Sequence, residues 1–164
     1  HIDKTKFFNC YPIYENHIYN TDLRPNPLTN GGGSGRIFNL NPELTLGQAI
    51  AAIQKHIGLD VHVGKGVNHN METPIKTAAV CAGSGASLLK ELPADLYITG
   101  EMSHHEVLNA NHQNISVILC NHSNSERGFL KNFKHILFKM LDGDCEVEVS
   151  EKDEDPLRTY TYSK

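Results

Sequence analysis

The sequence has no tryptophan, no excess of basic residues and no Cys-x-x-C pair. Its 19 acidic residues outnumber its 15 lysines and arginines, and the net charge of -4 argues against a protein that binds nucleic acid through a basic face. No apolar run approaches the roughly 18 residues of a membrane-spanning helix, and no signal peptide is visible. Four cysteines without zinc-ribbon or redox spacing indicate a reducing, cytoplasmic setting.

A length of 164 residues, with 39% hydrophobic and 21% charged residues, predicts one domain with a sizeable core. The first residue is His1 rather than Met, so we expect a piece of a longer protein or a processed product. Residues 1–35 are rich in Asn and Pro and end in a glycine run, which predicts an irregular segment, either a loop or a crossing between domains. We place the domain at residues 36–157 and a tail at 158–164.

Apolar strands alternate with helices in the second half of the sequence. The predicted strands are Thr77–Ala82, Leu96–Thr99 and Ile115–Cys120. The predicted helices run from about Ala86 to Leu92, from near Ser103, and from Phe129 to Leu141. This alternation predicts an α/β fold in which a mostly parallel sheet has helices on both faces.

Further elements are predicted on either side of this repeat. Thr45 and Gln48 fit a capping box that starts a helix, and Gly58 is a suitable stop for it. The remaining predicted strands are Arg36–Leu40, Val61–Val63 and, at an edge of the sheet, Cys145–Val149.

Polar side chains follow the predicted parallel strands at the edge where such sheets bind ligands. Glu101 comes directly after one strand, and His105 lies in the first turn of the next helix. His122 and Glu126 are four residues apart, so one helical turn puts both on one face. An imidazole and a carboxylate at this spacing can hold a divalent metal ion. We therefore predict that these four side chains converge on one functional site.

More ordinary roles are open for the same segments. Ser123 and Glu126 fit the S-x-x-E pattern of a capping box, in which the glutamate only satisfies backbone N–H groups. Ser103 and Glu106 fit the same pattern. The loop at residues 82–87 matches neither a dinucleotide fingerprint nor a nucleophile elbow, which leaves a tight turn or an anion site.

Three segments carry a resemblance to a known family, namely Ala79–Gly85, Asp95–His105 and Val117–Leu130. They closely resemble the carboxyl-terminal half of the NIF three-like family (NGG-one-interacting factor three-like), and its eukaryotic branch above all. The resemblance extends from about Leu40 to Leu157. It implies one half of a two-lobed α/β fold, and it makes residues 1–35 the end of a segment that is inserted in eukaryotic members.

The resemblance also implies a site for two divalent metal ions, zinc or similar, between the two lobes. The H-x-x-x-E pattern of the family falls on His122 and Glu126, which become the predicted metal ligands. The neighbouring T-G-[DE] loop falls on Glu101 and His105, to which the prediction assigns catalytic roles. A paired histidine and an H-T-x-x-D segment, which the other lobe supplies, are absent from this sequence. Two ligands rarely hold a transition metal, so we expect weak or absent metal binding and no activity in this chain alone.

Three kinds of function follow from the resemblance. The first is a metal-dependent hydrolase of the GTP cyclohydrolase type 2 homologue class. The second is a non-catalytic module for protein interaction or transcriptional regulation, with a regulatory protein as partner. The third is an architectural part of a homo-oligomer, since family members form rings. No direct contact with nucleic acid or membrane is expected, and the nucleus joins the cytoplasm as an expected location.

Overall fold

The computed structural model describes residues 7–11, 14–15 and 33–158. Within these residues the strands are β1 (Phe7–Tyr11), β2 (Tyr14–Glu15), β3 (Gly33–Ser34), β4 (Arg36–Thr45), β5 (His62–Gly64), β6 (Pro74–Ser84), β7 (Leu96–Glu101) and β8 (Ser116–Leu119). The helices are α1 (Leu46–Ile57), α2 (Ala86–Leu89), α3 (His104–His112), α4 (His122–Arg127) and α5 (Leu130–Met140). Strands and helices therefore alternate from β6 onward, as predicted.

Six of these strands form the main sheet of the described residues, in the order β1-β4-β6-β7-β8-β5. Strands β6, β7 and β8 are parallel neighbours. Strand β4 is antiparallel to both β1 and β6, and β5 is antiparallel to β8. Four of the six strands, β1, β6, β7 and β8, consequently run in the same direction.

Side chains of the central strands alternate between two apolar layers, because successive residues of a strand point to opposite faces. Ala78, Leu96 and Ile118 pack with α1 on one face. Ala79, Tyr97 and Val117 point to the other face, where α2 and α3 supply Leu89 and Ala110. Both faces of the sheet are thus covered by helices, which confirms the predicted α/β class.

Helix α1 begins and ends where its sequence signals predict. The Thr45 hydroxyl accepts a hydrogen bond from the Gln48 backbone N–H at 3.2 Å, and the Gln48 side chain accepts one from the Thr45 backbone at 2.9 Å. Gly58 ends the helix in the left-handed conformation, at φ 71°. These contacts satisfy backbone groups that a helix terminus otherwise leaves without partners.

Two predicted elements have different lengths in the structure. Strand β4 continues past Leu40 to Thr45, with a register shift between Asn39 and Leu44 where it passes Pro42. Proline has no N–H to donate to a ladder, so the pairing is interrupted there. Helix α2 has only four residues instead of reaching Leu92, because the backbone leaves the helical region at Lys90, with ψ 129°, and Glu91 then has φ 66°.

The predicted edge strand Cys145–Val149 is wrong, since these residues have no regular structure. An alternating pattern produces a strand only when a neighbouring strand supplies backbone partners. The prediction of an irregular segment also fails at residues 7–11, which form β1 and pair with β4. Most of residues 1–32 and the tail 159–164 lie outside the described residues, so the division into domains stays a prediction.

Helix α5 confirms the predicted amphipathic helix near the carboxyl end, and the part of the chain that the structure describes leaves its apolar face uncovered. It has no buried residue, and Phe133, Phe138 and Met140 are all exposed. Among the described residues, every helix is too short or too polar to span a bilayer.

The capping box predicts a measurable stability difference. We expect Thr45→Ala to lower the free energy of unfolding by about 1 kcal/mol, because the hydroxyl that accepts from Gln48 is lost. Thr45→Ser keeps that hydroxyl and is the matched control, with a change below about 0.5 kcal/mol. Urea unfolding of the three proteins measures the difference, and equal effects of Ala and Ser would contradict this role of Thr45.

Candidate metal centre

Helix α4 starts almost directly after strand β8 and carries both predicted metal ligands. The connection passes through Asn121, whose φ of 65° and ψ of 151° are rarely adopted by residues other than glycine. Such a conformation costs about 1–3 kcal/mol and often occurs at functional sites. The tight turn makes His122 the first residue of α4, and Glu126 follows one turn later on the same face.

The His122 ring lies between two carboxylates. Its Nδ1 is 2.8 Å from Glu101 Oε1, and its Nε2 is 3.8 Å from Glu126 Oε1. A neutral ring that donates from Nδ1 to Glu101 carries its lone pair on Nε2, the atom on the Glu126 side. All three side chains are about half exposed, at 50%, 54% and 53% for His122, Glu101 and Glu126. His122 and Glu126 therefore offer an imidazole nitrogen and a carboxylate oxygen to solvent.

The charge around the ring favours a cation. The hydrogen bond that His122 Nδ1 donates to Glu101 raises the pKa of His122, against a smaller opposing effect of desolvation. The negative charges of Glu101, Glu126 and Asp155 raise this pKa further. A field that stabilises the imidazolium also favours a bound divalent cation, which must displace the competing proton.

Two glycines allow α4 to lie against the ends of β6 and β7. A Cβ atom on Gly83 would be 2.7 Å from Glu126 Oε1 and 3.2 Å from His122 Nε2. A Cβ atom on Gly100 would be 2.7 Å from Ser125 Oγ and 2.9 Å from His122 Cα. At Gly100 the close atoms include backbone, so that strand end must lack a side chain. At Gly83 a side chain would have to displace the Glu126 carboxylate and press on the His122 ring.

Hydrogen bonds hold the Gly83 loop in this position. Ser125 Oγ accepts from the Gly83 N–H at 2.8 Å and donates to the His122 carbonyl at 2.6 Å. The buried Thr99 hydroxyl accepts from the Gly85 N–H and donates to the Gly83 carbonyl, each at 3.1 Å. These two N–H groups are therefore engaged within the site itself, as in a tight turn.

The capping-box alternative for Glu126 is not formed. Helix α4 has no side-chain N-cap, and Ser123 Oγ donates instead to Asp155 Oδ2 at 2.7 Å. Glu126 is therefore free to face His122. The corresponding box at Ser103 and Glu106 is formed, and its hydrogen bonds lower the pKa of Glu106.

The structure brings together three of the four side chains that we expected to converge, and His105 is the exception. Its ring packs edge-on against His104, with centroids 5.7 Å apart. It lines a cleft between α2 and α3 together with Tyr97 and Gln113, and within the described residues it has no hydrogen bond to Glu101, His122 or Glu126. The first helical turn directs His105 along α3, so its predicted catalytic role gains no support from this geometry.

Cys81 also lies near the site, on strand β6. It lines an apolar cavity of about 320 Å³ between α1 and the sheet, as Ser125 does. Desolvation raises the pKa of the Cys81 thiol, and the charge of Glu126 raises it further. Because only a thiolate binds metal well, these effects disfavour Cys81 as a third ligand.

The residues that are present fit part of a metal site. His122 and Glu126 are ligand types that zinc accepts, and Glu101 supports the histidine as a second carboxylate commonly does in zinc sites. However, the described part of the chain contains no group of three or more His, Cys, Asp or Glu side chains that could hold an ion. A complete centre needs donors beyond these two.

The crowding at Gly83 predicts a local effect of Gly83→Ala. We expect a loss of about 1 kcal/mol in unfolding free energy, because φ is +68°, together with a shift of the His122 ring signals in NMR spectra. Gly58→Ala is the matched control, since Gly58 has φ +71° but nothing within 4 Å of its Cβ position. It should lower stability similarly and leave the His122 signals unchanged. Unmoved His122 signals in Gly83→Ala would refute the contact.

The hydrogen bond that the His122 ring donates to Glu101 predicts the direction of a pKa change. Glu101→Gln should lower the pKa of His122 towards its ordinary value, as followed by NMR titration. Because the pKa of His122 is higher in the folded protein, protonation of the ring stabilises the folded state at pH values below the ordinary histidine pKa. This stabilisation is lost as the pH rises through the pKa that His122 has in the folded state. Glu101→Gln should therefore reduce the pH dependence of stability in that window. Glu43→Gln is the control, and an unchanged His122 titration in Glu101→Gln would contradict the assignment.

Comparison with known proteins identifies the relatives of this chain. The family model Duf34/NIF3 (NGG1p interacting factor 3) matches residues 2–156. The chain is 56% identical over 129 residues to NIF3-like protein 1 of Drosophila melanogaster, a match that covers 79% of this chain and 44% of that protein. It is 44% identical over 133 residues to the human NIF3-like protein 1, a match that covers 80% of this chain and 35% of the human protein. The NGG1-interacting factor 3 of Saccharomyces cerevisiae is 42% identical over 130 residues, a match that covers 76% of this chain and 44% of the yeast protein.

Solved structures show the same fold. Staphylococcus aureus protein SA1388 superposes with a TM-score of 0.63 at 25% identity, covering 77% of this chain and 37% of that one. Reduced HcgD from Methanocaldococcus jannaschii has a TM-score of 0.59 at 23% identity, covering 83% and 48%. The chain spans less than half the length of each of these proteins. With a family model that matches almost its whole length and relatives above 40% identity, the chain belongs to the Duf34/NIF3 family.

Proposed function

We propose that this chain supplies one part of a dinuclear metal centre in a metal-dependent hydrolase of the GTP cyclohydrolase type 2 homologue class. The observation that carries the proposal is the pairing of His122 and Glu126 at the carboxyl ends of β6 and β7, with Glu101 bonded to the far nitrogen of the ring. The chain spans 44% and 35% of the fly and human relatives. In this proposal the remaining ligands come from a part of the protein outside this sequence.

Each residue has a distinct role in the proposed centre. His122 Nε2 and the Glu126 carboxylate are the metal ligands, for zinc or a similar divalent ion. Glu101 is a positioning residue, because its hydrogen bond fixes the ring orientation and the tautomer that leaves Nε2 free. The chemistry that two divalent ions supply when bound is activation of water and polarisation of the bond to be cleaved.

Half exposure of the ligands supports a shared site over a closed one. Structural metal sites are closed by four protein ligands, whereas His122 and Glu126 face solvent across the carboxyl rim of the sheet. Donors from another part of the protein can approach this rim without any rearrangement of α4. The carboxylates around the ring add the negative charge that attracts cations to an incomplete site.

A protein-interaction module is the second candidate function. The yeast relative is named NGG1-interacting factor 3, and the exposed side chains of α5 offer an apolar surface of the kind that binds partners. A regulatory protein, or further copies of the chain in a homo-oligomer, could bind there. This candidate needs no metal, so partner binding that survives replacement of both His122 and Glu126 would favour it.

Titration with Co2+ tests the proposed ligands. We expect Co2+ to broaden the NMR signals of Gly83, Glu101, His122 and Glu126 first, because a paramagnetic ion relaxes nearby nuclei. Binding should be weak, since the chain provides two ligands. Separate His122→Gln and Glu126→Gln substitutions should each lower Co2+ affinity at least about 10-fold.

His135→Gln is the matched control, because His135 is exposed on α5 away from the strand ends. It should leave the broadening near Gly83 unchanged. Tight stoichiometric Co2+ binding by this chain alone, or broadening at Gly83 that survives His122→Gln, would refute the shared site. In a full-length family member, removal of metal by a chelator should abolish hydrolysis, with GTP as the first substrate to try.

A further inference from the structure

Helix α4 has no buried apolar face to hold it in place. It has six residues, no buried side chain and no side-chain N-cap. Helices of this length are not stable in isolation, and packing of an apolar face is what usually keeps a helix in place. Because α4 carries both proposed ligands, its polar contacts with neighbouring segments act together with its close approach to Gly83 and Gly100 in setting where His122 and Glu126 lie.

The side of α4 that faces the sheet is held by Ser125, as described above. A second contact face of α4 contains Ser123 and Arg127, which are also four residues apart. Both bind the acidic segment at residues 153–157, which we call the strap. The ligand face with His122 and Glu126 lies between these two contact faces.

Two side chains join α4 to the strap. Arg127 Nε donates to Asp153 Oδ2 at 2.6 Å and its second terminal nitrogen donates to Asp153 Oδ1 at 3.2 Å, in a fork of two bonds. Ser123 Oγ donates to Asp155 Oδ2 at 2.7 Å, and Asp155 Oδ1 accepts from the Leu157 N–H at 2.7 Å. Each strap carboxylate therefore has both oxygens engaged, which fixes its orientation.

The Arg127 contact differs from an ordinary surface ion pair. The Arg127 and Asp153 side chains are 26% and 36% exposed, so water screens them only in part. Arg127 also donates to Asn124 Oδ1 at 2.9 Å, which ties the same guanidinium back to α4. The neighbouring pair of Arg158 and Glu154 is 68% and 71% exposed and has no contact with α4 among the described residues.

We propose that the strap is a positioning element for the metal ligands, in which Arg127–Asp153 and Ser123–Asp155 hold α4 so that His122 and Glu126 keep their alignment. This inference rests on the proposed function, because it assigns the strap a role at that site. Ser123, Arg127, Asp153 and Asp155 are positioning residues and not ligands. Loss of either link lets α4 fray from the strand ends, and the two ligands then no longer present a common face.

The test compares Arg127→Met, Ser123→Ala and Ser123→Thr with the control Arg158→Met. Arg127→Met keeps the apolar stem and removes the fork, and Ser123→Thr keeps the hydroxyl. Amide hydrogen exchange is measured without metal, and Co2+ affinity is measured by NMR broadening. We expect faster exchange in residues 122–127 and about 10-fold weaker Co2+ binding in Arg127→Met and Ser123→Ala, with wild-type behaviour in Ser123→Thr and Arg158→Met. Exchange in α1 should stay unchanged in all four.

The two measurements separate the strap from the metal site. Unchanged exchange across α4 in Arg127→Met and Ser123→Ala would overturn the strap proposal, whether or not Co2+ binds. Faster exchange with undiminished Co2+ affinity would also overturn it, because α4 would then move without disturbing the ligands. If exchange accelerates but wild-type protein shows no His122-dependent Co2+ binding, the proposed metal centre fails while the strap remains the support of α4.

Discussion

Close packing of α4 against the ends of β6 and β7, where glycines leave no side chain in the way, is the constraint on which the rest of the site depends. Gly83 and Gly100 leave room for His122, Ser125 and Glu126, whose nearest atoms would lie 2.7–3.2 Å from a Cβ atom on one or other glycine. This approach brings Glu101, at the end of β7, within hydrogen-bond reach of the His122 ring. The sheet therefore sets the geometry of the ligands even though none of them is buried in the core.

The site combines rigidity behind the ligands with openness in front of them. Thr99 is buried and bonds both sides of the Gly83 loop, so the floor of the site is part of the folded core. His122 and Glu126 remain half exposed. Carboxylates that raise the pKa of His122 also make a proton the competitor of a cation there. Such a site is suited to completion by further ligands and is poorly suited to hold an ion alone.

Local patterns predicted much of the fold because their physical causes are local. Apolar runs predicted β6, β7 and β8, and the capping boxes at Thr45 and Ser103 set two helix starts. The segment Cys145–Val149 alternates apolar and charged residues, but it pairs with no strand among the described residues, so its pattern alone was insufficient. His105 is on the predicted helix, yet the direction of its side chain depended on packing between α2 and α3.

The sequence by itself determined the order of elements, the helix caps and the spacing that puts His122 and Glu126 on one face, because these depend on neighbouring residues and helical geometry. Only the tertiary structure decided that Glu101 meets the ring, that Ser123 binds Asp155 in place of capping α4, and that Gly83 is where the helix docks. Those contacts join residues 21 to 42 positions apart in the chain, and chain folding rather than local preference brings them together.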